Sequence, residues 1–226
     1  MPSFAGPNKT KKSVSFNTGA KQHSNHLKQL ATLWQEPDKS QLVYVAIDAH
    51  AQIQDRRKIA DIGLSAWCPD NTEVRSFHWR VKDNVPPQSQ CLPIDPELFL
   101  YGITDVVDDP TVGPLLEEVF QFLAIGHPVL CVVGHNIRDV LDLLRHCWEV
   151  PYSSIILDTE KIWQAQHEEA NAVSLSEALE NTLGITSNAF DRNCLGNAGN
   201  SARHVLMLLQ ALGRGTQHLN YKGSPI

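Results

Sequence analysis

Apolar and polar positions along this 226-residue chain follow one rhythm in the first half and another in the second. Leu42–Ala49 (LVYVAIDA) is dominated by β-branched and aromatic residues and predicts a strand. Ile59–Trp67 alternates, with Ala60, Ile62, Leu64 and Ala66 on one face. Pro69-Asp70-Asn71 marks a turn, after which Val74–Val81 places Phe77, Trp79 and Val81 together. Three such segments with short connections predict an antiparallel meander. Beyond a proline-rich loop, Asn84–Pro96, the period lengthens. Gly113–Leu123 has helical spacing, and Val129–Val133 is a continuous apolar run suited to a strand covered on both faces. Asn136 is placed to cap a helix whose stripe is Val140, Leu141, Leu144, Cys147 and Trp148. Ile155–Leu157 is a short strand that leads through Asp158-Thr159 into another helix. Ser174 and Glu177 form a capping box for a helix over Leu175–Leu183. Asn200 is expected to cap a last helix, Ser201–Leu212, which Gly213 ends. A meander followed by alternating helix and strand predicts an α/β domain with a mixed sheet.

The ends depart from both rhythms. Residues 1–28 read as a disordered basic arm, although Leu27, Leu30 and Trp34 have the spacing of a short docked helix that Glu36-Pro37-Asp38 breaks. Residues 29–40 are assigned to that helix and a linker, 41–213 to the domain, and 214–226 to a flexible tail. Charge sharpens the division. Lys9, Lys11, Lys12, Lys21 and Lys28 precede the first acid, Glu36, which leaves 14 basic against 25 acidic residues in the remainder. A body at about −11 is a poor surface for phosphates, so any nucleic-acid contact is expected from the arm, with Lys9, Lys11, Lys12 and Lys21 as its candidates. No apolar run approaches the roughly 20 residues that span a bilayer, and the polar start is unlike a secretory signal. Cys68, Cys91, Cys131, Cys147 and Cys194 form no CxxC pair, which points to free thiols in a reducing compartment. A cytoplasmic or nuclear location fits these features better than a mitochondrial one.

Several phrases, in order, resemble the DEDD-type 3′–5′ exonuclease domain of the ribonuclease-H-like superfamily. Val45–His50 (VAIDAH) is similar to its first motif, a strand ending in Asp-x-Glu, and Lys58–Trp67 (KIADIGLSAW) to its second strand. Tyr101-Gly102-Ile103-Thr104 resembles its G-I-T turn, and Val132–Leu144 (VVGHNIRDVLDLL) its second motif. Leu157-Asp158-Thr159 matches a further step, and Leu195–Arg203 (LGNAGNSAR) resembles the third motif as a fungal branch writes it, L-H-N-A-G-N-D-A-R. The resemblance implies a five-stranded mixed sheet, three antiparallel strands and then parallel ones, flanked by helices.

It also implies a chemistry. The family hydrolyses phosphodiesters with two divalent ions about 3.5–4 Å apart, held by four carboxylates, and a histidine that handles the water. Position by position, Asp48 stands where the first carboxylate stands, but the second falls on His50 and the third on Val140. The catalytic histidine falls on Gly196 and the last carboxylate on Ser201. Asp139 adjoins Val140, yet one helical step rotates a side chain by about 100° and turns it away. The resemblance therefore implies a degenerate exonuclease that serves as a nucleic-acid-binding or protein-binding module. Its alternative is a divergent metal-dependent 3′–5′ exonuclease acting on RNA or single-stranded DNA. No cofactor is expected, and magnesium or manganese enters only with residual nuclease activity. Asp48 and His50 are the remaining metal candidates, with His204 as a third donor for a softer ion such as zinc. Expected partners are a protein or RNA, or a second copy in a homodimer. Trp34, Trp67, Trp79, Trp148 and Trp163 are the candidate anchors for a protein partner.

Overall fold

A computed structural model describes residues 17–52, 54–84, 98–185 and 195–218, with side chains from residue 24 onward and excepting Asp83 and His218. In chain order the elements are α1 (Asn17–Gln35), β1 (Leu42–Ala51), β2 (Ile59–Trp67), β3 (Val74–Val81), β4 (Thr104–Val107) and α2 (Val112–Gly126). There follow β5 (Val129–Gly134), α3 (Ile137–Leu144), β6 (Ile155–Asp158), α4 (Thr159–His167), α5 (Leu175–Leu183) and α6 (Ala198–Gly215). One mixed sheet runs in the order β4-β3-β2-β1-β5-β6. β2 runs antiparallel to both β1 and β3, whereas β5 lies parallel to β1 and β6 parallel to β5.

The sheet has six strands where five were expected. The additional strand, β4, pairs parallel with β3, Thr104 lying opposite His78 and Val107 opposite Val81. Thr-Asp-Val-Val has no alternation of its own, and the pairing is set by β3 rather than by a local pattern. The Gly102-Ile103 turn delivers the chain to this edge.

β1 lies inside the sheet, and its period of two divides the core. Leu42, Tyr44 and Ala46 pack with Leu30, Leu33, Leu157, Leu206 and Leu209 on the side of α1, α4, α5 and α6. Val43, Val45 and Ile47 pack with Leu64, Leu116, Phe120 and Leu144 on the side of α2 and α3. The same alternation carries Asp48 and His50 onto the α6 side.

Both ends of the domain extend beyond the expected limits. α1 starts at Asn17, within the segment read as a disordered arm, and buries Leu27, Leu30, Ala31 and Leu33. Asn17–Asn25 carries no apolar stripe, so nothing local marks a start; the docked half nucleates a helix that the polar half then extends. Residues 1–16, with Lys9, Lys11 and Lys12, lie outside the described residues, as do Cys91 and Cys194. Lys21 lies on α1, and its side chain is also outside the description. At the other end α6 passes through Gly213, whose lack of a side chain admits the Trp34 ring; a Cβ there would sit 2.3 Å from Cε3. Thr216 follows in a short turn and is buried, its hydroxyl donating to Gly213 O at 2.6 Å. Among the described residues no helix is long and apolar enough to cross a membrane. Trp79, Trp148 and Trp163 are buried and Trp34 and Trp67 half-buried, so no tryptophan is an exposed anchor.

Candidate functional site at the ends of β1 and β2

The register of the meander assembles a charged cluster under α6. His50 on β1 lies opposite Asp61 on β2, and Asp61 lies opposite Arg80 on β3. Asp48 sits two residues before His50 on the same face, opposite Gly63. Cation and anion thus alternate across three strands. His50 Nε2 is 3.3 Å from Asp48 Oδ2, and its Nδ1 is 3.1 Å from Asp61 Oδ1. The other Asp48 oxygen accepts the Ala49 backbone N–H at 3.0 Å. Burial pulls the His50 pKa down, but contact with the Asp48 and Asp61 carboxylates outweighs that and holds it well above the ordinary histidine value. The two carboxylates thus favour the protonated form of the ring. Sequence reading missed Asp61, whose signal lay in pairing: it precedes Gly63 by two, on the face that meets α6.

Gly63 is where α6 touches the sheet. A Cβ on it would stand 2.1 Å from Ala198 O. Asn197 caps the helix by accepting the Asn200 N–H at 3.1 Å, three residues upstream of the cap expected at Asn200. Asn200 instead accepts from Leu100 N at 2.9 Å and donates to Leu98 O at 2.8 Å, tying the approach to β4 onto α6. Asn197 also reaches His78, Nδ2 to Nδ1 at 3.2 Å. His78 is 1% exposed, its Nδ1 is 2.9 Å from Thr104 Oγ1, and burial pushes its pKa down to about 4 against the pull of Asp61. Its Nε2 has no hydrogen-bond partner among the described residues.

The other expected positions have surroundings of their own. Ser201 is buried, and its hydroxyl donates to Leu195 O at 3.1 Å. Gly196 lies half-buried in the turn before α6 and offers no side chain. Val140 is buried in the apolar core on the α2 and α3 side. Asp139 is exposed, and its Oδ2 accepts from Asn136 Nδ2 at 2.6 Å. Asn136 takes a left-handed conformation (φ 54°) at the helix start and makes no side-chain cap. His135 donates through Nε2 to Val173 O at 2.7 Å, and its Nδ1 is 3.1 Å from Thr159 Oγ1. His204 donates through Nδ1 to Asn200 O at 2.8 Å and lines a small cavity with Ser176, Leu179, Ile185 and Leu195. The three-donor zinc arrangement of Asp48, His50 and His204 is not formed. Among the described residues no three or more His, Cys, Asp or Glu side chains are grouped to hold a metal ion.

Two solved structures align with most of the chain. The RNase domain of the yeast Pop2 protein aligns with 87% of this chain and 85% of its own length, at 12% identity and a TM-score of 0.46. The nuclease domain of 3′hExo, a DEDDh family member solved bound to rAMP, aligns with 77% of this chain and 94% of its own, at 12% identity and a TM-score of 0.49. No curated protein sequence matches the chain significantly. The sequence profile described as "DNA polymerase III subunit epsilon-like, C-terminal domain", of the DEDDh type, matches residues 43–212, from the start of β1 almost to the end of α6. The chain belongs to that family and carries a DEDDh exonuclease-like domain.

Proposed function

We infer that this domain is a degenerate exonuclease, a pseudoenzyme that keeps the fold as a binding module. The observation that carries the reading is the His50 ring held between the Asp48 and Asp61 carboxylates. The family's chemistry needs a pair of divalent cations, and this donor set does not suit them. One Asp48 oxygen faces a backbone N–H and the other a cation, while Asp61 faces the same cation. Val140 has no donor atom, and the Ser201 hydroxyl is committed to Leu195 O. Two magnesium ions would have to displace the ring already seated between these two carboxylates. The acidic body favours a protein partner, and RNA contact would fall to the lysines of residues 1–16.

Incubated with single-stranded RNA or DNA and magnesium or manganese, the purified chain is expected to leave 3′ ends intact. Metal-dependent shortening that Asp48→Ala abolishes would overturn the reading. Removal of residues 1–16, which leaves α1 whole, separates the binding modes: RNA affinity should collapse and protein binding persist. One feature favours the second reading, a divergent metal-dependent 3′–5′ exonuclease. Asp48 and Asp61 give two carboxylates in one site. It predicts a rise in Tm with magnesium, manganese or zinc that Asp48→Asn removes.

A further inference from the structure

Away from this cluster, three chain segments converge on a cysteine and a histidine. Cys68 follows the last residue of β2, His127 caps the end of α2 just before β5, and Ser40 precedes β1. Ser40 O lies 3.0 Å from His127 Nδ1. A carbonyl can only accept, so in the neutral ring Nδ1 carries the proton and Nε2 presents its lone pair. Cys68 Sγ lies 3.1 Å from that nitrogen, so the thiol donates its proton along the lone-pair axis. Both residues are half-buried and line a groove of about 550 Å³ together with Asp70, Glu73, Arg75 and Phe122.

We propose that Cys68 is a thiol-exchange site for small disulfides that carry an amine, with His127 as its base, independent of the exonuclease-type cluster. A nucleophile, a base in hydrogen-bond contact with it, and a third group that orients the base are the parts that activate a thiol. In the exchange, Sγ attacks one sulfur of the incoming disulfide while its proton passes to His127 Nε2. The new S–S bond forms, the reagent's own S–S bond breaks, and the leaving thiolate takes up the proton held on the ring. Cys68 ends oxidised in a mixed disulfide, and the other half of the reagent leaves reduced as a free thiol.

The charges around the pair decide which disulfides it takes. Burial, and then the Asp70 charge, push the Cys68 thiol up, with Arg75 opposing them. The sulfur is therefore stored as a thiol and reacts when the ring takes its proton. The carbonyl end of α2, where His127 sits, favours the positive charge that the ring then gains. Arg75 is engaged with Glu73, Nε to Oε1 at 3.4 Å, and Asp70 is the charge that the sulfur feels most. An ammonium group on the reagent is drawn to Asp70, and a carboxylate is repelled.

Timed exchange on the full native chain, mapped by mass spectrometry, reads the site. Cystamine should modify Cys68 about tenfold or more faster than Cys147, which is also half-buried but donates to Leu144 O at 3.3 Å. With each rate taken relative to that reagent's rate on free cysteine, cystamine should exceed dithiodipropionate at Cys68 about threefold or more. Both comparisons use the unaltered chain, so they stand even where a variant does not fold. In a folded Asp70→Asn chain most of the preference between the two reagents should vanish. His127→Gln should slow cystamine at Cys68 about tenfold or more and leave Cys147 at its own rate. A histidine that only ties the segments together would leave the Cys68 rate where it was. Cys68 no faster than Cys147, no preference between the reagents, a preference that survives Asp70→Asn, or a Cys68 rate that survives His127→Gln overturns the proposal.

Discussion

The contact between α6 and the sheet and the positions of the expected metal ligands lie within a few residues of each other, yet they obey different constraints. At the contact, Gly63 lets the Ala198 carbonyl approach, Gly199 lies against His78 and Phe99, and the Asn197 and Asn200 side chains each serve more than one partner. Each of these residues matches the family phrase, and each makes contacts that need no metal. At the positions where the proposed reading places lost ligands, His50, Val140 and Ser201 are each satisfied by their own surroundings: an ion pair, an apolar core and a backbone carbonyl. Backbone proximity holds the first set in place whatever the domain does. Only catalysis would hold carboxylates at the second, so on the proposed reading the fold outlives the chemistry.

That contrast is broken most directly at Gly63. A methyl group 2.1 Å from a backbone oxygen forces the helix off the sheet, so Gly63→Ala should cost on the order of 4 kcal/mol in urea unfolding. A cost under about 1 kcal/mol would mean that the close approach does not constrain the fold. Val140→Asp probes the other region by restoring the family's residue. It should cost about 3 kcal/mol, because a carboxylate enters an apolar core without a partner. Magnesium should not recover the loss in a thermal melt. A magnesium-dependent rescue would show that the ligand positions still face one another.

His78 gives the next effect, read through pH. Its folded pKa, about 4, lies below the ordinary value of 6.5, so the unfolded chain takes up the proton first. The neutral ring therefore contributes stability that is present above pH 6.5, is lost as pH falls toward 4, and changes no further below that. Carboxylates titrate in the same range, so wild type is compared with His78→Gln. Wild type should lose about 2 kcal/mol more than the variant between neutral pH and pH 4.5. Parallel curves would mean that the ring is not held neutral.

How much of this was legible in the sequence follows from the range of each interaction. The faces of β1, β2 and β3 were legible because alternation is local: Ile62, Leu64, Phe77 and Trp79 pack on the side that their spacing gives. The capping box at Ser174 was legible too, and its hydroxyl accepts from Glu177 N at 3.2 Å. β4 was not, since its register belongs to β3. Nor was the start of α6, where Asn197 and Asn200 are both good caps and only the His78 and Leu98 contacts decide between them. Comparison with the family located His50 as a substitution but said nothing of what it touches. Asp61, eleven residues away, became part of the site only through strand pairing.

The smallest effect is also at His50, and its sign opposes that at His78. Its folded pKa is raised, so the folded chain takes the proton more readily than the unfolded one. The ion pairs thus contribute stability that is fully present below the unfolded value of 6.5 and is lost as pH rises through the folded value. The side chain is 34% exposed, so solvent screens part of the gain. In thermal melts the Tm advantage of wild type over His50→Gln should be largest near pH 6 and shrink as pH rises through the raised folded value. Because the advantage of the neutral His78 grows with pH over its own window, the two variants separate a buried neutral ring from a paired cation within one site. An advantage at His50 that stayed level or grew with pH would remove the cation from between Asp48 and Asp61. The pair of carboxylates would then be free for a metal ion, and the two regions would no longer differ in kind.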